Sequence, residues 1–160
     1  MTGHVLQVNV SKGGIPKREI PAGELTASGI VGDSWRYAFH GGPKQAVLLI
    51  TIEGIQELIA QGFPLYPGAL GENLTTQGID RRALRFGQRL RVGPATIELT
   101  KMRQPCATLN PYGKGIQAAM YDARVVQGDV ESPLWGLSGF YAGVVEPGTI
   151  VAGDAITLLT

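Results

Sequence analysis

Hydrophobic positions in this chain come in short bursts divided by glycine- and proline-bearing turns, and the rhythm of each burst predicts an element. At 4–10 the residues Val5, Leu6, Val8 and Val10 give an imperfect two-residue period rich in β-branched side chains, a first strand closed by a turn at Gly13-Gly14. A connection over 14–22 holds a short strand near 18–20, and 25–30 reads as another. Residues 45–52 form the most apolar run, too continuous for a half-exposed strand and therefore expected to be buried on both faces. Over 53–62, Ile55, Leu58 and Ile59 fall at helical spacing, with Thr51 or Glu53 at the start and Gly62 as the stop. A long loop is expected at 63–78, its polar cluster of Glu72, Asn73, Thr75 and Thr76 set around Leu74. In 84–92 and 95–100, Leu90, Val92, Ile97 and Leu99 alternate with charged or hydroxyl residues, predicting two strands about Gly93-Pro94. A short helix over 116–120 and a loop over 128–137, packed down by Pro133 and Trp135, lead to 139–145, a turn and 150–159. These last two segments read as a closing hairpin whose Gly148 takes positive φ.

Seven to nine short strands against two or three short helices predict a mainly β fold, a β-barrel with helices filling its ends, because the helices are too few for regular βαβ alternation. With 160 residues, 44% of them hydrophobic, one core and one domain over 1–160 are expected. Fourteen basic against thirteen acidic residues give a net charge of +1, which supplies no reason for nucleic acid or an anionic membrane as partner. The N-terminus lacks the pattern of a secretory signal, and no apolar run reaches the roughly 18 residues that a membrane span requires. A single cysteine adds to the expectation of a cytoplasmic protein.

That cysteine, Cys106, follows the last predicted strand of the 84–100 pair in the segment Lys101-Met-Arg103-Gln-Pro-Cys106. Pro105 suits the first position of a helical turn, which would run from Cys106 to Leu109 and stop at Asn110-Pro111. Free amide groups and the Arg103 cation there favour a thiolate, and comparable settings lower a thiol pKa from about 8.5 to roughly 3.5–7.5. The alternative is an inert buried thiol. Two other stretches carry candidate chemistry. His40-Gly41-Gly42-Pro43 leaves backbone amides uncovered for an anion, with His40 able to move a proton and Lys44 adding charge, or it is only a tight turn. Glu72 and Asn73 are placed to read a heterocycle edge or to orient another side chain, or they satisfy turn amides together with the threonines. His4 is an ordinary strand-end histidine, and Arg81, Arg82, Arg85, Arg89 and Arg91 read as solvated surface charge. No CxxC, HExxH or clustered Cys/His pattern points to structural zinc.

Four pieces in order resemble the MOSC family, domains related to the C-terminal part of molybdenum-cofactor sulfurase. They are Gly32-Asp33 with His40-Gly-Gly-Pro43 and Ala46-Val47; Pro67-Gly68 with Gly71-Glu-Asn-Leu-Thr75; Arg103-x-Pro-Cys106; and Gly139-Phe-Tyr-Ala142 leading to Gly153-Asp154. The match is most similar to compact free-standing bacterial members. It implies a β-barrel with the cysteine at a pocket and association with molybdenum cofactor (molybdopterin) or sulfur transfer, Cys106 serving as persulfide carrier or molybdenum ligand. Reduction of N-hydroxylated compounds is a further activity of some relatives. On this reading Cys106, Arg103 and His40 are catalytic, and Gly41, Gly42, Lys44, Glu72, Asn73 and Thr75 meet the cofactor. A cysteine desulfurase or a reductase is the expected protein partner. Lys44 stands where the family often has Asp, and Gly143 where many members have Arg. The alternative is a noncatalytic module that binds a small molecule or a partner on the same fold; a thiol hydrolase using His40 is weaker, because nothing in the order of residues brings His40 to Cys106.

Overall fold

The structure is a computed structural model that describes residues 1–35 and 41–159. In chain order it contains strands β1 (Thr2–Val10), β2 (Arg18–Ile20), β3 (Ala22–Thr26), β4 (Gly29–Ile30) and β5 (Val47–Thr51), helix α1 (Ile52–Ala60), and strands β6 (Leu74–Gln77), β7 (Arg89–Val92) and β8 (Ala95–Met102). Helices α2 (Ile116–Met120) and α3 (Ala123–Val126) and strands β9 (Phe140–Glu146), β10 (Gly148–Val151) and β11 (Ala155–Leu158) follow, with 3-10 turns at Arg81–Ala83 and Ala107–Tyr112. The fold is mainly β, as expected, with three short α-helices among the described residues.

Seven strands close a barrel in the order β11-β7-β8-β9-β5-β6-β1, and β1 returns to β11 through Thr2 opposite Thr157 and His4 opposite Ala155. Closure leaves none of these seven strands with a free edge over its whole length. β2 extends the sheet beyond β1, while β10-β3-β4 form a separate small sheet whose Leu25, Ile30 and Ile150 add to the barrel core.

β5 explains its own sequence. All five residues are buried, Val47 and Leu49 in the barrel core and Leu48 and Ile50 in a second cluster beneath α1 and α2. Alternate side chains of one strand thus serve two apolar layers, which is why the run shows no alternation. Thr51 caps α1 by accepting from the Gly54 amide at 3.1 Å, and Ile55 and Leu58 carry the helix onto the second cluster. The imperfect alternation of β1 has a cause as well: its pairing with β6 shifts register between Val5 and Gln7.

Four expectations are corrected. The end of the expected 63–78 loop is strand β6, which fills the gap between β1 and β5, antiparallel to one and parallel to the other. The closing hairpin does not exist, because β9 pairs with β8 and β5 whereas β10 pairs with β3, and Gly148 is not among the glycines at positive φ. Among the described residues there are eleven strands, since 22–26 and 29–30 divide at a turn and the C-terminal segment divides into β10 and β11. Arg81 is buried: it pairs with Glu57 at 3.0 Å and donates to the carbonyls of Trp135 and Pro133, tying the 128–137 loop to α1.

Candidate functional site

The loop between α1 and β6 is built as a bracket. Gly68 sits at φ +92°, and a Cβ there would stand 2.1 Å from the Lys17 carbonyl, so only glycine allows the approach through which the Lys17 amide donates to Gly68 O at 2.9 Å. Glu72 is fully buried, and its Oε2 accepts from the Gly68 amide at 3.0 Å and the Thr75 hydroxyl at 2.9 Å while Oε1 has no partner. Burial pushes its carboxyl above the usual range, against the opposing pull of those hydrogen bonds and of Arg103. Asn73 spends its whole amide on the fold: Oδ1 accepts from the Leu48 amide at 3.0 Å, and Nδ2 donates to Asn9 O at 3.2 Å and Asp33 Oδ2 at 2.8 Å. Asp33 also pairs with Lys17 Nζ at 2.6 Å, a buried ion pair whose lysine donates further to Ser34 O at 3.0 Å.

Across from this bracket, β8 ends at Met102 and the chain turns inward. The Arg103 amide donates to Gly139 O at 2.8 Å, and the Ser138 hydroxyl donates to Arg103 O at 2.6 Å, so the backbone is held on both sides. Arg103 is 7% exposed, and its guanidinium donates to Leu70 O at 2.9 Å and Ser138 O at 3.5 Å. It forms no ion pair among the described residues. Burial pushes it below its ordinary value, and Tyr141, Cys106 and Glu72 push it back. Tyr141 is pushed up, first by burial.

Cys106 does not begin a helical turn. It is extended (φ −137°, ψ −179°) and caps the 3-10 turn, which runs through Pro111 to Tyr112 and does not stop at Asn110-Pro111. Pro105 therefore precedes the cap. The half-buried sulfur lies 2.9 Å from Thr108 Oγ1.

Two cavities share Cys106 in their walls. The inner one, about 70 Å³, is lined by Lys17, Trp35, Leu70, Asn73, Arg103 and Thr108 among others; the outer cleft, about 420 Å³, by Gln45, Lys101, Met102, Pro105 and Tyr121; Gln104, Cys106 and Tyr141 belong to both. A water takes roughly 10–15 Å³ of such space, so the inner cavity suits a guest of a few heavy atoms, while the cleft is in the range of cofactor-sized ligands.

The structure therefore brings Cys106, Arg103 and Asn73 to one cavity. Glu72 and Thr75 stand behind that wall, both fully buried. Gly41 lies against the Trp35 ring, where a Cβ would come within 2.7 Å, Gly42 is at φ +116°, and exposed Lys44 accepts from the Thr100 hydroxyl through its carbonyl; none of the three lines either cavity. His40 lies outside the described residues. Sequence reasoning did not assign Lys17, Gln104, Thr108 or Tyr141 to the site. Tyr141 was within reach through the Gly139-Phe-Tyr-Ala142 piece, but nothing local marks Lys17, whose burial depends on Asp33 arriving from sixteen residues on.

A closed barrel carrying a thiol beside a buried arginine defines the class, and the comparisons define the family. Residues 36–157 match the model of the MOSC domain, and the chain belongs to that family. It is 30% identical over 124 residues to the uncharacterized protein YflK of Bacillus subtilis (strain 168), covering 76% of this chain and 51% of YflK. It is also 30% identical over 139 residues to a reductase of Gibberella moniliformis (strain M3125 / FGSC 7600), covering 84% of this chain and 23% of that protein. The chain thus spans about half of one curated relative and under a quarter of the other. Among solved structures, YiiM from Escherichia coli aligns with a TM-score of 0.71 at 25% identity, over 100% of this chain and 70% of YiiM. YuaD from Bacillus subtilis shares the fold with a TM-score of 0.72 at 20% identity, over 98% and 94% of the two chains.

Proposed function

We propose that this chain is a molybdenum-cofactor-associated sulfur-transfer or redox protein whose reactive group is Cys106. The observation that carries the reading is the position of Cys106 in the wall common to both cavities, with a buried arginine cation on the inner side and cofactor-sized space on the outer. The donor set fits the implied group: a pterin dithiolene brings its own sulfurs, so one protein thiolate, a soft ligand, suffices for the metal. Cys106 would supply it, Arg103 an anion contact, and Gln104 and Tyr141 polar edges facing the cleft. His40, which lies outside the described residues, and the Gly41 and Gly42 amides and Lys44, which line neither cavity, remain proposed as further donors. Glu72, Asn73 and Thr75 contribute by holding the 67–76 bracket on which the inner cavity is built. When bound, the group supplies a metal centre that exchanges electron pairs with a substrate.

The chain's own residues place Cys106 in the wall shared by the two cavities and present the Arg103 cation to the inner one. The reductase name of the Gibberella relative favours reduction, with N-hydroxylated compounds as the proposed substrates and a reductase as partner in the cytoplasm. Expression in a molybdenum-cofactor-replete host, followed by metal and pterin analysis, tests the reading. Wild type is expected to carry both and Cys106→Ala to lose the metal; an empty wild type with unchanged activity in the variant would reject it. A second reading, a metal-free sulfur carrier loaded by a cysteine desulfurase, is favoured by the inner cavity, which is too small for a pterin. Mass analysis after incubation with the desulfurase is expected to show one added sulfur on Cys106.

A further inference from the structure

The inner cavity poses a question of its own, because its contents must be small and its charge is positive. Arg103 lines it, 93% removed from solvent since only 7% of the residue is exposed, and among the described residues two of its five N–H groups have acceptors. A buried guanidinium with unused donors is costly unless something anionic completes it. Lys17 does not compete for that role, since Asp33, Ser34 O and Ser11 already take its ammonium. Glu72 is the nearby carboxyl, yet it makes no ion pair with Arg103, and burial favours its neutral form. About 70 Å³ accepts five or so heavy atoms, the size of a tetrahedral oxyanion, and is too little to enclose a whole nucleotide or pterin. The same wall presents Cys106 Sγ, with Thr108 Oγ1 2.9 Å from it and the cleft on its other side as an exit.

We propose that the inner cavity binds a thiosulfonate-type anion, thiosulfate being the simplest, with its sulfonate head on Arg103 and its outer sulfur against Cys106 Sγ, and that the chain takes sulfane sulfur from it. The proposal rests on the sulfur-carrier reading and names its donor. The Cys106 thiolate attacks the outer sulfur and a new S–S bond forms. The bond between that sulfur and the sulfonate sulfur breaks, and its electron pair leaves with sulfite. Cys106 is left as a persulfide anion, the thiol's own proton having gone to solvent, so charge and electrons balance without an added oxidant. Sulfite departs through the cleft.

Full-length protein is incubated with thiosulfate and followed by intact mass and by sulfite release. Wild type is expected to gain one sulfur with one sulfite released. Sulfate, which has the head without the outer sulfur, is expected to slow the gain by competition. Arg103→Gln is expected to label from thiosulfate about ten- to a hundredfold more slowly, the loss of one charge-assisted hydrogen bond. Loading by the desulfurase but not by thiosulfate would overturn this inference alone. Failure with both would overturn the carrier reading too. Equal labelling of Arg103→Gln, or no protection of wild type by sulfate, would overturn the assigned anion site; the sulfate arm needs no variant and stands if Arg103→Gln fails to fold.

Discussion

Replacing Asn73 by alanine removes three hydrogen bonds at once, and the structure says what each loss leaves behind. The Leu48 amide and the Asn9 carbonyl are buried and lose their side-chain partner, and Asp33 Oδ2 loses a donor to a charged group. Neutral bonds contribute about 1 kcal/mol net and charged ones about 1.5–3, with a penalty of about 1–3 kcal/mol for each buried group left unsatisfied. The Asn9 side chain and the backbone pairing of Asn73 with Leu48 and Asn9 persist, which limits the damage. Together these place the cost at about 3–6 kcal/mol, a large part of the 5–15 kcal/mol that holds a domain of this size. Urea unfolding of wild type and Asn73→Ala, compared at their midpoints with m unchanged, measures it. A loss under about 1 kcal/mol, joined to a collapse in anion or cofactor binding, would refute the reasoning and make Asn73 a ligand contact in place of a bracket.

Glu72→Gln keeps an acceptor for the Gly68 amide and the Thr75 hydroxyl. Because burial raises the folded carboxyl above its ordinary value of 4.5, the folded wild type holds a proton that the unfolded chain has released, and its stability falls as pH rises through that window. The variant has no such loss, so its stability relative to wild type is expected to increase from about pH 4.5 upward, read by urea midpoints across pH; a gap constant with pH would show the carboxyl to be ionised in the fold. Lys17→Met leaves Asp33 buried without its cation and is expected to cost about 3–5 kcal/mol, measured by thermal or urea unfolding. Cys106→Ala removes a half-buried thiol bonded to Thr108 and is expected to cost under about 1 kcal/mol while abolishing alkylation of the chain; a loss above about 2 kcal/mol would mark the sulfur as structural.

How much of the candidate site could be read in advance follows from where its information lies. Cys106 and Arg103 stand three residues apart and are visible as a pair, because a lone thiol beside a cation is a local pattern. The polar cluster at 72–75 was visible too, but its role was not. Whether Asn73 faces a ligand or the backbone of Leu48 depends on β1 and β5 arriving on either side of it, and neither is near in sequence. The same holds for arginines: Arg81 looks like Arg82 and Arg85 until Glu57 and the 133–135 carbonyls close around it.

By itself the sequence determined the local elements with strong periodicity. The continuous apolar run of β5, the Thr51 cap and spacing of α1, and the alternation of β7 and β8 are short-range signals, because a strand or helix writes its own period into neighbouring residues. It also determined, through the ordered Gly32-Asp33, Gly71-Glu-Asn-Leu-Thr75 and Arg103-x-Pro-Cys106 pieces, the family. Only the tertiary structure decided that 74–77 is a strand, that β1 closes on β11, that the C-terminal strands part company, and that Cys106 stands between two cavities with Arg103 buried beside it. Each of these depends on contacts between residues far apart in the chain, where the free energy of pairing and burial outweighs local preference.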